Sequence, residues 1–240
     1  MKIIPLNEGA FAVDKKKNFT TATDVLAPGS LKMAVCPFLI VLKDDILLLD
    51  AGLGESNNGI PSIKTLLQEH GYDASQVTKV LLSHLHKDHI NGLGVFENGS
   101  FVSNFPKAKI YLQKRELDYA LRQTENPSFN QEVLKAVASL PNIELLSEEE
   151  GWISDAVSFE VTGGHSPFHQ AFWVREEGTI AFYGADNLPQ KAYLRFHMAY
   201  KSDDDGKKAM ALREKWETLA KEEHWKVLFY HDLTDNVVQF

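Results

Sequence analysis

The sequence predicts an α/β protein in which helices cover β-sheets, and three observations support this class. Short apolar runs that are typical of strands recur along the whole chain, and amphipathic segments with helical spacing interrupt them. Several of these runs are followed directly by His or Asp, so reactive side chains collect where strands end. The chain has 240 residues, of which 44% are hydrophobic and 24% charged, and this is enough to bury a substantial core. We therefore expect one domain spanning residues 1–240.

The predicted strands are apolar or alternating segments bounded by turn-forming residues. In chain order we place them near residues 2–6, 10–14, 37–42, 45–50, 79–83, 109–112, 143–146, 157–161, 170–175, 179–183 and 226–230. We place helices at 62–70, 113–123, 130–139 and 207–223, where apolar residues recur at intervals of three and four. Helices that alternate with strands in this way predict sheets covered by helices. The segment 113–140 could either wall a pocket or pack in the outer layer.

The most informative segment begins at His84, where three imidazoles and one carboxylate follow a strand-like run. In an extended chain His84 and His86 point in the same direction, because side chains alternate with a period of two. The chain must then curl into a helix, which turns Asp88 and His89 toward a second point in space. Imidazole and carboxylate are good ligands for divalent cations, so the segment predicts a metal site and hints at two ions.

Three further ligand candidates each follow a strand-like run: His165, Asp186 and His231. Loops that leave one edge of a sheet commonly carry catalytic groups, so the shared position strengthens each candidate. His169 could support the site or simply pack in the core, and the sequence leaves both readings open.

Together these residues resemble the sequence landmarks of the metallo-β-lactamase-fold hydrolases. The landmarks correspond here to Asp50, the H-x-H-x-D-H segment, His165, Asp186 and His231. Of these, Asp50 is expected to hold the metal-binding loop in place rather than to react. The resemblance implies an α/β (α+β) fold, a four-layer αβ/βα sandwich with metals at one edge between two sheets. It also implies that Asp186 bridges two metals, one held by His84, His86 and His165 and the other by Asp88, His89 and His231.

Three departures from the family pattern leave the predicted ligands in place. Asn91-Gly92 stands where family members usually have two glycines, and Phe168 adds apolar bulk after His165. The acyl-homoserine lactonase group has a catalytic Tyr three residues beyond the bridging Asp, where this chain has Pro189. Tyr193 is the candidate to replace it.

The resemblance implies a metallohydrolase, closest in pattern to the lactonase and organophosphate-hydrolase branch. Metal coordination lowers the pKa of water toward about 7, so a hydroxide bridging the two ions is the expected nucleophile. Asp88 is expected to pass a proton to the leaving group. Two divalent ions are expected as cofactors, with Zn²⁺ as the default and Fe²⁺ or Mn²⁺ as alternatives. The expected substrate is a small-molecule ester, with a lactone favoured.

Other functions of the same fold stay open. A phosphodiesterase or phosphotriesterase would want cationic side chains near the metals, for which Lys87 and Arg195 stand out. A thioesterase is a further alternative, and a non-enzymatic metal-binding module is disfavoured because it would retain seven ligands without using them. His86 and Asp186 also argue against two branches: oxygen-reducing di-iron relatives usually carry Glu in place of the former, and true β-lactamases lack the latter.

The composition limits which partners and which cell compartment we expect. The net charge of −8 disfavours nucleic acid as a partner, since proteins that bind nucleic acid usually have an excess of Lys and Arg. No signal-peptide pattern follows Met1, and no apolar run is long enough to span a membrane. Cys36 is the single cysteine, so no disulfide can form within the chain. We therefore expect a cytoplasmic enzyme with a small-molecule substrate.

Overall fold

The structure is a computed structural model that describes residues 1–23, 26–54, 62–196 and 198–240. Its strands are Lys2–Pro5 (β1), Gly9–Val13 (β2), Phe19–Thr21 (β3), Leu31–Val35 (β4), Phe38–Val41 (β5), Ile46–Leu49 (β6), Lys79–Leu81 (β7), Gly94–Glu97 (β8), Ser100–Ser103 (β9), Lys109–Gln113 (β10), Ile143–Leu146 (β11), Glu150–Ser154 (β12), Val157–Val161 (β13), Gln170–Glu176 (β14), Thr179–Tyr183 (β15), Lys226–Leu228 (β16) and Val237–Gln239 (β17). Its α-helices are Ile63–Glu69 (α1), Lys87–Ile90 (α2), Lys114–Ala120 (α3), Gln131–Val137 (α4), Ala192–Arg195 (α5) and Gly206–Glu222 (α6). Short 3₁₀ turns lie at Ala74–Gln76, Asn91–Leu93 and Ala185–Asn187.

Most of the strands form two large sheets within the described ranges. The first sheet has the order β1-β5-β6-β7-β10-β11, and its parallel pairs are β6-β7, β7-β10 and β10-β11. The second has the order β12-β13-β14-β15-β16-β17 and is antiparallel except where β15 meets β16. A small sheet of order β3-β2-β4 and a β8-β9 hairpin complete the architecture.

Three hydrophobic clusters show how the sheets and helices are layered. The first packs α1, α3 and α4 against the first sheet, the second lies between the two sheets, and the third packs α6 against the second sheet. Strand β6 illustrates the alternation, because Leu48 faces the helices while Leu47 and Leu49 face the other sheet. Both faces of this strand are buried, which explains its continuous apolar run. The layers are therefore helix, sheet, sheet and helix, as predicted.

The predicted strands and long helices are all found, with ends that differ by a few residues. The helix expected after His86 is α2, and the elements that the sequence did not predict are β3, β4, β8, β9, β12, β17 and α5. They are short, and several are largely exposed, so they lack the apolar pattern on which the prediction depended. None of the helices in the described ranges has the length and apolar character needed to cross a lipid bilayer.

Candidate metal centre

Four segments at one edge of the sandwich carry the seven predicted ligand residues, and two of these residues, Asp88 and His89, lie in α2. One loop follows β7 and leads into α2, one follows β13, one follows β15 and one follows β16. Their ligand atoms form two groups, and within each group all the atoms lie within 4.8 Å of one another. The first group is His84, His86, His165 and Asp186, and the second is Asp88, His89 and His231. The structure thus brings all seven residues together, although their role as ligands stays a prediction.

In the first group, nitrogen and oxygen atoms converge on one point. His86 Nδ1 lies 2.9 Å from His84 Nε2 and 3.1 Å from His165 Nε2. Burial holds the pKa of His84 and that of His86 well below the ordinary value, since it disfavours the charged imidazolium. Neutral rings that point several lone pairs at one another need a shared cation, because one proton can satisfy only one such pair.

In the second group, the carboxylate of Asp88 faces two imidazoles. Its Oδ2 lies 3.8 Å from His89 Nε2 and 3.6 Å from His231 Nε2. Burial lowers the pKa of His89, but Asp186, Asp88 and Asp50 outweigh it and raise that pKa well above its ordinary value. The carboxylates therefore favour a positive charge at this point.

Asp186 lies between the two groups and offers one oxygen to each. Its Oδ1 is 3.1 Å from His231 Nε2 and 3.2 Å from His89 Nε2, whereas its Oδ2 is 3.3 Å from His165 Nε2. Burial raises the pKa of Asp186, yet the surrounding imidazoles hold it well below its ordinary value. This is the placement that a carboxylate shared by two cations would need.

Two buried atoms of the cluster have no hydrogen-bond partner, which tests whether a metal would fit. Asp186 Oδ1 and His89 Nε2 are both in this state, and both face the second group. Buried polar atoms without partners are costly, so they favour a ligand that can bind them. The donor set of imidazoles and carboxylates suits Zn²⁺, Fe²⁺ or Mn²⁺.

Asp50 binds the back of the cluster through a fully buried carboxylate. Its Oδ1 accepts from the Ser83 amide at 2.8 Å, and its Oδ2 lies 2.8 Å from His89 Nδ1. The hydroxyls of Ser83 and Tyr183 also donate to Oδ2. Asp50 has a φ of 53°, a left-handed conformation that Asp tolerates better than most residues. These contacts are those of a residue that orients a ligand ring, the role expected for Asp50.

His169, left open by the sequence, packs behind the first group. Its ring is buried, and its centroid lies 5.2 Å from that of His84. His169 Nδ1 lies 3.1 Å from Thr162 Oγ1 and 3.2 Å from Asn187 Nδ2. Asn187 also accepts from the amide of His165 at 2.8 Å. His169 therefore belongs to a buried polar network that supports the loop of His165.

Asp203 is a functional candidate that the sequence analysis missed. Its Oδ1 lies 3.0 Å from His165 Nδ1, and its Oδ2 lies 3.6 Å from the guanidinium of buried Arg213. Asp205, two residues later, caps α6 by accepting from the Lys208 amide at 3.0 Å. Within this run of three Asp residues, Asp205 thus caps a helix, whereas Asp203 orients a ligand ring.

Two buried glutamates were also missed, and both hold loops of the centre. Glu8 accepts from the Leu53 amide at 2.8 Å, and burial raises the pKa of its carboxyl to about 8. Glu116 accepts from the Phe168 amide at 3.2 Å, and burial raises its pKa to about 7. Gly52 leaves room for the first carboxyl, because a Cβ there would clash with Glu8 Oε1. Nothing in the local sequence around either glutamate signals these distant contacts.

A pocket opens above the centre and encloses about 750 Å³, part of it at the solvent-exposed mouth. One wall is apolar and comes from the small sheet: Val13, Phe19, Leu31 and Met33. Polar lining residues include Lys17, Lys87, Gln190, Tyr193 and Asp203. The segment 113–140 serves both roles considered for it, since α3 and α4 pack on the first sheet while Ser128 reaches the pocket.

The chain belongs to the metallo-beta-lactamase superfamily. The model of that family matches residues 37–231, which include all seven candidate ligands. The predicted superfamily and its sandwich fold are therefore confirmed.

Curated relatives of this chain include lactonases from two species. The N-acyl homoserine lactonase AiiA of Bacillus thuringiensis subsp. kurstaki is 25% identical over 186 residues, covering 66% of this chain and 65% of the relative. An N-acyl homoserine lactonase of Bacillus cereus is 26% identical over 180 residues, with the same coverage. The chain thus spans 65% of the length of these relatives.

Solved structures share the fold over almost the whole chain. A probable metal-dependent hydrolase from Staphylococcus aureus has a TM-score of 0.82 at 20% identity and covers 99% of this chain and 91% of its own. The dizinc quorum-quenching lactonase AidC has a TM-score of 0.76 at 21% identity and covers 98% and 88%. The hydrolase AbOPH has a TM-score of 0.77 at 20% identity and covers 99% and 89%. At these identities the likeness shows the fold.

Proposed function

We propose that this protein is a metal-dependent hydrolase that cleaves an ester bond of a small molecule, and that a lactone is its substrate. The position of Asp186 carries the proposal. One of its oxygens lies 3.1 Å from His231 Nε2 and the other 3.3 Å from His165 Nε2, so one carboxylate serves both ligand groups. The lactonase relatives support the substrate class.

The residues present would hold two divalent cations, with Zn²⁺ favoured and Fe²⁺ or Mn²⁺ as alternatives. One cation would take His84, His86 and His165, the other would take Asp88, His89 and His231, and Asp186 would be shared. When bound, such cations act as Lewis acids toward an ester carbonyl and lower the pKa of coordinated water toward about 7.

Asp88 is the residue that we assign to proton transfer. It lines the pocket, and its carboxylate faces the two imidazoles of the second group. The hydroxyl of Tyr230 donates to the Asp88 carbonyl oxygen at 2.6 Å, and this bond fixes the start of α2. Held in this way, the carboxylate can receive a proton and pass it to the alkoxide that leaves when the ester bond breaks.

Tyr193 is the polar residue of the pocket wall that we assign to substrate orientation. Burial, together with neighbouring Tyr200, raises the pKa of its phenol, so the hydroxyl keeps its proton at neutral pH. A protonated phenol can donate a hydrogen bond to a carbonyl oxygen of the substrate. Its ring stacks on that of Tyr200 with centroids 4.4 Å apart, and Arg213 lies 5.1 Å from the centroid of Tyr193. These contacts hold the phenol in one position.

The test is a substrate panel measured with protein loaded with zinc, manganese or iron. We expect turnover of N-hexanoyl homoserine lactone to exceed that of bis(4-nitrophenyl) phosphate and of a matched thioester. His70→Ala, which changes an exposed imidazole outside the centre, serves as the control and should behave as the unaltered protein. Absence of ester or lactone hydrolysis by folded, metal-loaded protein would overturn the proposal, and preference for the phosphodiester or the thioester would reassign the substrate.

A further inference from the structure

Two lysines, Lys17 and Lys87, line the pocket above the candidate metal centre. Lys17 also lines an adjoining cleft that shares His86 and His165 with the pocket. Both lysines are half-buried. The lysines that form ion pairs in the described ranges are others: Lys79, Lys109, Lys114, Lys191 and Lys221. The pocket therefore presents two ammonium groups that no carboxylate of the described residues pairs within ion-pair distance.

Lys17 is held at the pocket by an ordered turn between β2 and β3. The carboxylate of Asp14 accepts from the amides of Lys16 and Asn18 at 2.8 and 2.9 Å, and the Lys17 amide donates to the Asp14 carbonyl at 3.0 Å. Lys17 has a φ of 59°, a left-handed conformation that glycine would adopt at lower cost. A lysine in this position keeps its side chain at the pocket at the expense of backbone strain.

Lys87 lines the same pocket from helix α2. It is the first residue of α2, and its amide donates to the Ser128 carbonyl at 2.8 Å. Its ammonium lies 5.9 Å from the ring centroid of Phe19, so the side chain extends toward the small sheet that carries Lys17. Lys17 acts on this ammonium as a like charge, and the carboxylates of Asp88 and Asp14 act on it as opposite charges from beyond ion-pair distance.

We propose that Lys17 and Lys87 together bind an anionic group of the substrate, a carboxylate or a phosphate, while its ester bond lies at the metal centre. This inference rests on the proposed function and narrows the substrate from neutral esters and lactones to acidic ones. The apolar wall that includes Phe19 and Met33 lies in the same pocket and would cover the hydrocarbon between the two ends.

The other cations near the centre do not serve this purpose. Arg195, which the sequence analysis named beside Lys87, lies 5.9 Å from the ring centroid of Phe196 and is not among the residues that line the pocket. Arg213 is buried and engaged by Asp203 at 3.6 Å. Lys17 and Lys87 are thus the cationic side chains that line the pocket in the described part of the chain.

The test compares two esters that differ in one charge: 4-nitrophenyl hydrogen glutarate and 4-nitrophenyl methyl glutarate. We expect the unaltered protein to cleave the charged ester with a kcat/KM about tenfold or more above that of the neutral one, because charge-assisted hydrogen bonds in a partly dry pocket are strong. The preference should fall to about twofold or less in a Lys17→Met, Lys87→Met double variant, and it should shrink as NaCl rises from about 0.05 M to about 0.5 M. Lys16→Met alters an exposed lysine of the same turn and should keep the preference.

Further measurements identify the preferred anion and separate a failure of this inference from a failure of the proposed function. A 4-nitrophenyl ester of 4-phosphonobutanoic acid shows whether the preferred anion is a phosphonate or a carboxylate. An equal ratio of charged to neutral turnover in the unaltered protein and the double variant would overturn the inference, while hydrolysis of the neutral ester would leave the proposed function standing. If neither ester is cleaved, the lactone of the substrate panel decides the proposed function, and calorimetric titration with glutarate decides the anion site. Binding weakened about tenfold in the double variant would support the site, and equal binding would overturn it.

Discussion

The two ligand groups of the candidate metal centre are supported from different sides. In the second group, the rings are anchored by the protein interior: His89 Nδ1 lies 2.8 Å from the buried Asp50 carboxylate, and His231 Nδ1 lies 2.6 Å from the Ala34 carbonyl oxygen. His89 also stacks on the ring of Tyr230, with centroids 4.2 Å apart and an angle of 20° between the planes. These anchors do not face the pocket.

In the first group, two of the supports lie at the pocket, in addition to the buried contacts of His84 with Ser83 and His169. His165 is anchored by Asp203, which lines the pocket, at 3.0 Å. The ring of His86 is half-buried and packs against Phe129 at 4.8 Å between centroids. The second group is thus fixed by the core alone, whereas the first group has part of its support at the pocket. Substitutions behind the two groups should therefore act on different properties.

The largest effect is expected at Asp186, because this residue is common to both groups. Asp186→Asn should lower hydrolysis about a thousandfold or more, because both groups lose a charged ligand at once. His86→Ala should have a similar effect on activity while the chain stays folded. Steady-state kinetics and metal analysis check both variants, with His70→Ala as the control. Full activity in both variants would refute the site.

A second variant tests the interior anchor. Asp50→Asn should weaken the metal affinity of the second group about 10- to 100-fold, because a ligand ring loses its charged partner. Asn tolerates the left-handed conformation at this position, so the backbone should be preserved. Metal content during titration with a chelator measures the effect. Equal loss of both ions at the same chelator concentration would contradict the distinction between the groups.

A third variant tests the anchor at the pocket. Asp203→Asn should weaken metal affinity about tenfold at the first group, since an amide oxygen can still accept from His165 Nδ1 without the charge. A rise in the KM of the substrate should accompany it, because Asp203 also lines the pocket. Asp204→Asn, which changes the exposed neighbouring carboxylate, is the matched control. Loss of metal from the second group first would contradict the assignment.

The smallest effect on activity is expected behind the second group, where Glu8 changes stability with pH. Its carboxyl has a pKa of about 8 in the folded protein against an ordinary value of 4.5, because burial disfavours the charge. The folded state thus retains this proton to higher pH than the unfolded state, and stability falls as pH rises between those values.

Glu8→Gln should remove that part of the pH dependence. In metal-free protein, the loss of unfolding free energy between pH 5 and pH 8 should be smaller than in the unaltered protein by about 2–4 kcal/mol. Urea unfolding at several pH values measures the slope, and Glu150→Gln alters an exposed carboxyl as the control. Identical slopes in all three proteins would show that Glu8 does not retain its proton on folding.

Much of this architecture follows from patterns that are local in sequence. The apolar run of β6 predicts a buried strand, because both of its faces are covered. The spacing of the segment that begins at His84 predicts two directions for its side chains, and the structure places His86 and Asp88 in different groups. Such predictions need only the geometry of a strand and of the first turn of a helix.

The missed residues depend on contacts between distant parts of the chain. Asp203 meets His165, 38 residues away, and Glu116 meets the Phe168 amide, 52 residues away. Locally, each has an ordinary explanation, since one stands in an acidic run before α6 and the other lies in the first turn of α3. Lys17 was missed for a similar reason, because β3 is too short and exposed to indicate where the turn lies.

The origin of the candidate ligands in two different sheets has a mechanical consequence. His84 follows β7 of the first sheet, whereas His165, Asp186 and His231 follow strands of the second. A cation bound by residues from both sheets would cross-link the two halves of the sandwich. It could bind tightly only after both halves had folded and docked. Titration with zinc would then raise the melting temperature by mass action and would sharpen the unfolding transition of the whole sandwich.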